Sequence, residues 1–228
     1  MTTGEIVRFI TLKTIGNFLI LFALYGVGAT FGPALYFEFA YQLHNFQGIH
    51  YTVATAAPGN DANVQTGSAP SLFVNSTDQL LIPKDTNFDI LIPKIGANSI
   101  VFPNVDPSDP DNYLPILKKG VAQARGTSLP GEKGTIYLFA HSTDNFWDVG
   151  LYNAVFYLLK NLNSGDAITI FYQGKRYNYT VSDSKIVDPS DVSFITNAKT
   201  TQSQLVLQTC WPPGTTWKRL LVIAKPNN

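Results

Sequence analysis

The sequence predicts a mostly β fold, a closed or nearly closed and largely antiparallel barrel with one or two short helices, carried behind a single N-terminal transmembrane helix. Three observations predict it. No residue from Thr14 to Phe37 carries a charge. Beyond Leu80 the chain breaks into many short β-prone runs separated by Gly, Pro, Asn and Asp, the texture of a barrel or sandwich. Only Asp148 to Asn163 carries apolar residues at helical spacing, with Leu151, Val155, Leu158, Leu159 and Leu162 preceding a stop at Gly165.

In chain order, Met1 to Lys13 (1–13) reads as a cytoplasmic tail and Thr14 to Phe37 (14–37) as the membrane anchor. As a helix those 24 residues span about 36 Å at about 1.5 Å per residue, against a hydrocarbon core of about 30 Å. Gly26, Gly28, Gly32 and Pro33 would weaken a soluble helix but are tolerated in membrane spans. The competing reading is a cleavable signal peptide, whose apolar region is shorter and followed closely by a small-residue cleavage site. Here the one such site, Ala54-Thr55-Ala56, lies far downstream. Arg8 and Lys13 flank the near side, while Glu38 flanks the far side and the next lysine is Lys84. The positive-inside bias then puts the N-terminus in the cytoplasm and the rest outside the cell.

The helix is expected to run on through Glu38 to Asn45, where aromatic and polar residues mix. Ala56 to Ser71, rich in Gly, Pro, Asn, Ser and Ala, reads as a linker holding the domain off the membrane, so 38–79 is juxtamembrane segment and linker and 80–228 is the folded domain. Within it, Leu91-Ile-Pro-Lys94 repeats Leu81-Ile-Pro-Lys84 and is read as an edge strand reaching Ile100-Val-Phe102 through a bend at Gly96-Ala-Asn98. Asp106 to Asp111 is a Pro/Asp-rich turn. Ile136 to Ala140 is a buried strand ending on His141. Ala167–Tyr172, Lys175–Ser182, Ser184–Val187, Gln204–Thr209 and Leu220–Lys225 are further strands.

Lys plus Arg and Asp plus Glu balance at 16 each, for a net charge of +0. No basic patch stands out to neutralise phosphates, which excludes nucleic acid as a partner. The single cysteine, Cys210, allows no internal disulfide. In an exported domain a lone thiol is intermolecular, buried and inert, or reactive.

Cys210 lies in LVLQTCWPPGTTWKRLLVIA, Leu205 to Ala224: strand, Pro-Pro-Gly loop, strand. If those strands pair, Cys210 closes one and Arg219 opens the next, placing a thiol beside a guanidinium at one end of a sheet. His141 ends a third core strand. A nearby imidazole or guanidinium favours the thiolate. The alternatives are a buried structural cysteine, a surface arginine and a polar strand-end histidine.

Thr209-Cys210, Trp217-Lys-Arg219 leading into Leu-Leu-Val-Ile, and Phe139-Ala-His-Ser142 resemble the sortases, the membrane-anchored cysteine transpeptidases of bacterial cell surfaces. Ile92-Pro-Lys-Ile-Gly96, Pro103-Asn-Val-Asp106, Gly120-Val-Ala122, Gly126 to Glu132 and Leu159 to Asp166 fit in the same order. The resemblance covers about Leu80 to Lys225 and implies an eight-stranded sortase-type β-barrel. It implies that Cys210 attacks the Thr carbonyl of an LPXTG-like sorting signal to form a thioacyl enzyme. It makes His141 the general acid or base and Arg219 the holder of the substrate carbonyl and oxyanion. Thr209 becomes a substrate contact, and an amine of a peptidoglycan precursor or a pilin lysine resolves the intermediate. No cofactor is implied, and no acidic cluster suggests a calcium site. Asp144, near His141, is a further candidate to orient the imidazole, the alternative being a solvated loop aspartate. Gln208-Thr209 stands where many members read differently before the cysteine, and Trp211-Pro-Pro213 stiffens the loop that follows.

Three other readings compete. An L,D-transpeptidase also combines Cys, His and Arg, but places the arginine close behind the cysteine, whereas Trp211 to Lys218 separate them here. A cysteine hydrolase would share the nucleophile and release the acyl group to water. An inactive membrane-anchored binding domain would use the same barrel without chemistry.

Overall fold

A computed structural model describes residues 3–53, 78–142, 155–199 and 202–227. The linker reading for Ala56 to Ser71, the Asp144 candidate and the first part of the expected Asp148–Asn163 helix lie outside the described residues.

The chain opens with one long helix, α1 (Thr3–Phe46), which continues past Phe37 as expected and passes Pro33 without a break. Its large apolar side chains face outward, with Phe18 63% and Leu21 66% exposed, and Thr3–Gly28 is long and apolar enough to cross a membrane. Such a helix has no water-compatible reason to expose so much apolar surface.

The far end of α1 docks on the folded domain. Glu38 and Lys160 pair at 2.7 Å, Lys160 lies 4.8 Å from the Tyr157 ring centroid, and Tyr41 packs against the domain core. The Lys160 hydrogen bond is the main reason that the Glu38 carboxyl titrates below the ordinary range. Strands β1 (His50–Val53) and β2 (Asp78–Leu81), which bracket the predicted linker, pair with each other in parallel. The two ends of that segment are therefore held side by side, and the ion pair seats the helix end directly on the domain.

The domain is a closed barrel of eight strands: β3 (Phe88–Ile92), β4 (Ala97–Val105), β5 (Val121–Ala124), β6 (Thr135–Phe139), β7 (Ala167–Tyr172), β8 (Lys175–Val187), β9 (Gln204–Trp211) and β10 (Lys218–Pro226). Around the barrel the order is β10-β8-β7-β3-β4-β5-β6-β9, closing on β10. Neighbours are antiparallel except β4–β5 and β6–β9. Closure leaves no free edge, so β3 is not the edge strand expected from Pro93. That proline falls just after the strand, in a 3₁₀ turn over Pro93–Ile95 ended by Gly96 at φ 63°, and removes no ladder hydrogen bond.

Strand alternation divides the apolar residues between two cores. Ile90, Ile92, Ile136, Leu138, Leu205, Leu207, Leu220 and Val222 fill the barrel. Tyr137, Phe139, Val206, Leu221 and Ile223 form a second cluster on the outer face, packed against α2 (Pro110–Leu117) and α3 (Ser193–Thr196). The predicted Asp106–Asp111 turn thus leads into a helix. Asp109 caps it by accepting from the Asp111 amide at 3.0 Å, and Pro110 sits in the first turn, where no amide donor is needed. The two strands predicted around Asp183 are one, β8, with a register shift opposite Ile223/Ala224. The unpaired residue there is Ser182, whose hydroxyl donates to the Ile223 carbonyl at 3.1 Å, a β-bulge where the sequence suggests a break. The described end of the predicted Asp148–Asn163 helix is a 3₁₀ turn, Tyr157–Asn161, which buries Leu159 and brings Leu162 and Leu158 onto the core.

One group in this fold is unusually placed. Asp89 on β3 is fully buried; Oδ2 accepts from the Asp85 amide at 3.3 Å, and Oδ1 has no partner among the described residues. Burial pushes its carboxyl up to about 7. In the unfolded chain an Asp gives up its proton near pH 4. Between about pH 4 and 7 the folded state binds more protons than the unfolded one, so this group lowers stability as pH rises through that window. Asp89→Asn is therefore expected to raise the melting temperature of the detergent-solubilised protein at pH 8 and to change it little at pH 4. Thermal unfolding followed by circular dichroism checks this, and an equal shift at both pH values contradicts it.

Candidate functional site

Three adjacent strands build the site. β9 lies between β6 and β10, parallel to the first and antiparallel to the second. On one side Cys210 is the register partner of Arg219. On the other, Phe139 pairs with Gln208 and the Ala140 amide donates to the Gln208 carbonyl at 3.1 Å. Continuing that register two residues brings His141 level with Cys210. His141, Cys210 and Arg219 thus occupy one row across three strands, with neighbouring strands about 4.8 Å apart.

The same alternation puts all three on one face. Ala140, Leu207 and Leu220 point into the barrel, and Trp211 packs against that inner core. Phe139, Val206, Leu221 and Ile223 belong to the outer cluster. The residues one step from the inner set and two from the outer, His141, Cys210 and Arg219, therefore face outward. All three are half-buried.

Thr209 is not in this row. It is 2% exposed, on the inner face, and its hydroxyl donates to the Ala140 carbonyl at 3.2 Å. It straps β9 to the end of β6 beside His141. Two residues that the sequence reading did not single out also shape the site. Ser142, buried at 2%, accepts from the Gly214 amide at 3.4 Å and joins the segment after His141 to the Pro-Pro-Gly loop. Tyr137, 3% exposed, donates its hydroxyl to Gln208 Oε1 at 2.5 Å. Counting by twos from His141 and Cys210 reaches both Tyr137 and Gln208, which was the signal available in the sequence.

The electrostatics centre on Arg219. One nitrogen, Nη1, donates to the Thr216 and Lys218 carbonyls at 3.0 and 3.1 Å, which fixes the guanidinium against its own loop. The other nitrogens have no protein partner among the described residues, so donors remain for a ligand. Burial pushes the Cys210 thiol up, and the Arg219 charge opposes that rise without cancelling it. Burial outweighs the arginine in that direction, so a base is what would turn this thiol into a nucleophile. Among the described residues, no group of three or more His, Cys, Asp or Glu side chains is placed to hold a metal ion.

Residues 90–227 match the family model for the sortase domain. The chain belongs to the sortase family. It is 31% identical over 137 residues to sortase D of Bacillus subtilis (strain 168), a match spanning 59% of this chain and 60% of that relative. Among solved structures it is similar to sortase C-1 from Actinomyces oris, with 25% identity, a TM-score of 0.52, and 64% and 76% of the two chains covered. A complex of Streptococcus agalactiae sortase C1 and MTSET is also similar, with 25% identity, a TM-score of 0.51, and coverage of 62% and 67%. In this sortase the row of three residues lies wholly inside the matched segment.

Two outcomes are expected at this site. Replacing Arg219 by Gln removes the charge that opposes the rise of the thiol, so the pH midpoint for alkylation of Cys210 by iodoacetamide moves upward. A downward move contradicts the assigned electrostatics. Thr209→Val removes the strap while conserving shape and costs about 1 kcal/mol of stability, the net worth of one hydrogen bond, measurable by denaturant unfolding.

Proposed function

We propose that this sortase is a cysteine transpeptidase. It cleaves an LPXTG-like sorting signal through a thioacyl intermediate on Cys210 and transfers the acyl portion to an amine of the cell wall or of a pilin. The single observation that carries the reading is the row His141, Cys210, Arg219 on one outward face.

The chemistry follows from the properties of the three groups. Neutral His141 takes the Cys210 proton as the sulfur attacks the Thr carbonyl of the signal, which supplies the base that a thiol raised by burial requires. The carbonyl oxygen gains negative charge, and the unbonded donors of Arg219 stabilise it. Collapse breaks the C–N bond, His141 returns its proton to the departing amine, and a thioester remains. An incoming amine then gives its proton to His141 as it attacks the thioester carbonyl, and Cys210 leaves as the thiolate. The proton on His141 restores the thiol.

In the same reading Met1 to Lys13 is cytoplasmic, Thr14 to Phe37 spans the membrane, 38–79 is juxtamembrane and 80–228 is the catalytic domain outside the cell, anchored beside surface proteins that carry the signal. The uncharged stretch, the long exposed helix and the positions of Arg8 and Lys13 before that stretch, with Glu38 after it, support it.

The test is a panel of LPXTG-like peptides incubated with the full chain in detergent, with and without triglycine or a lysine-bearing peptide. Intact-mass spectrometry is expected to show an acyl adduct that disappears in Cys210→Ala, and an amide product when an amine is present. His141→Ala and Arg219→Ala are expected to lower kcat/KM by at least about 100-fold, the usual scale for losing a general base or an oxyanion donor. Release to water alone would favour the hydrolase, and absence of any adduct across the panel would remove the enzyme reading.

A further inference from the structure

Gln208 stands in the row next to Cys210 on the same outward face, two residues earlier on β9. Its register partners there are Phe139 on β6 and Leu221 on β10, which are 6% and 1% exposed. A carboxamide between two buried apolar side chains is costly to place unless its polar atoms are used. One of them is used within the fold: Oε1 accepts the Tyr137 hydroxyl at 2.5 Å. Tyr137 is itself buried, and its hydroxyl is the donor of this bond. With Oε1 turned down to Tyr137, Nε2 is directed away from it, and its two N–H groups have no hydrogen-bond partner among the described residues. Gln208 is only partly covered, and by strand alternation it lies on the same face as Cys210 and Arg219.

The spacing matches an extended peptide. Residues two apart on a strand are about 6.6 Å apart, and so are alternate carbonyls of an extended ligand. A peptide lying along β9 with its reacting carbonyl at Cys210 therefore brings a second backbone carbonyl, two residues away, over Gln208. Arg219, in the Cys210 row, and Gln208, two residues before Cys210 on β9, both keep donors with no protein partner among the described residues. An acceptor is the group that such a set of donors recognises.

We propose that Gln208 is a substrate-binding residue of this sortase. Held by Tyr137, it donates Nε2–H to a peptide-backbone carbonyl two residues from the bond that Cys210 attacks. Tyr137 is a positioning residue acting through it. The inference rests on the transpeptidase reading. It goes beyond the three-residue row by assigning a contact that registers the peptide through its main chain rather than its side chains.

The experiment compares wild type, Gln208→Met, Gln208→Glu, Tyr137→Phe and the double variant Tyr137→Phe/Gln208→Met. All are full-length chains in detergent, acting on a fluorogenic LPXTG peptide with triglycine as acceptor. Methionine fills the same volume with no donor, glutamate still accepts from Tyr137 but offers no N–H, and the double variant leaves no buried hydroxyl unpaired. Gln208→Met, Gln208→Glu and the double variant are expected to raise KM about tenfold with kcat changed less than threefold. Tyr137→Phe is expected to raise KM about threefold. The pH profile of Cys210 alkylation by iodoacetamide is expected to stay in place in Gln208→Met, since a peptide contact does not act on the thiol. Wild-type KM in both Gln208→Glu and the double variant overturns the proposal, as does an alkylation profile displaced as far as the activity. Those results leave the transpeptidase reading standing if wild type still forms the Cys210 adduct. No adduct in wild type across the peptide panel overturns both.

Discussion

The double pairing of β9 is the constraint on which the site depends. Cys210 is positioned by two registers at once, antiparallel to β10, where it faces Arg219, and parallel to β6, where it comes level with His141. Because side chains alternate with a period of two, a slip of one residue in either ladder would turn one of the three groups into the barrel. The apolar patterns make such a slip expensive. Leu205 and Leu207 on β9, Ile136 and Leu138 on β6, and Leu220 and Val222 on β10 all fill the inner core, and each would exchange places with an outward residue. The core thereby sets the geometry of a site to which it contributes no reactive atom.

This division also explains why Thr209, adjacent to the cysteine in sequence, sits on the opposite face. An inner-face polar residue needs an internal partner, and Thr209 finds one in the Ala140 carbonyl, one residue before His141. The strap closes the β6–β9 ladder where regular pairing ends, at Phe139. On the far side, the Ser142–Gly214 bond and the Arg219 bonds to Thr216 and Lys218 do the equivalent work for the loop between β9 and β10. His141, Cys210 and Arg219 are each held by backbone contacts made by a neighbour or by their own loop.

Much of this was legible in the residues, and the exceptions have physical causes. Strands with strong β-branched or Leu-rich runs, such as Ala167–Tyr172, coincide with their predicted bounds because nothing interrupts the alternation. β5 escaped notice because Val121-Ala-Gln-Ala124 is short and carries only one large apolar residue, and its burial on both faces is a tertiary effect. α2 was hidden because Pro and Asp signal a turn and a helix start equally well. The bulge at Ser182 looked like the end of one strand and the start of another, since a local pattern does not reveal that a partner strand spans the gap. At the site, Cys210 and Arg219 were within reach of sequence reasoning because a single hairpin joins them. His141 was legible as the end of a third core strand though not in its register with Cys210, and the Tyr137–Gln208 pair needed the 71-residue separation to be closed by the fold.

Helix α1 bears on the same site through the domain surface. Glu38, just beyond the uncharged segment, pairs with Lys160, and Lys160 lies in the 3₁₀ turn Tyr157–Asn161, whose Leu159 reaches the barrel core. Tyr41, one turn further along α1, packs onto the same core. An exposed ion pair is worth little by itself, but here it accompanies apolar contact, and β1–β2 pairing closes the chain behind it. The orientation of the barrel relative to α1 is then a property of packed side chains rather than of a flexible tether. A rigid seat restricts which way the His141–Cys210–Arg219 face can look with respect to the helix axis. For an enzyme whose proposed substrates are held at the same surface, that orientation limits the peptides that can reach Cys210.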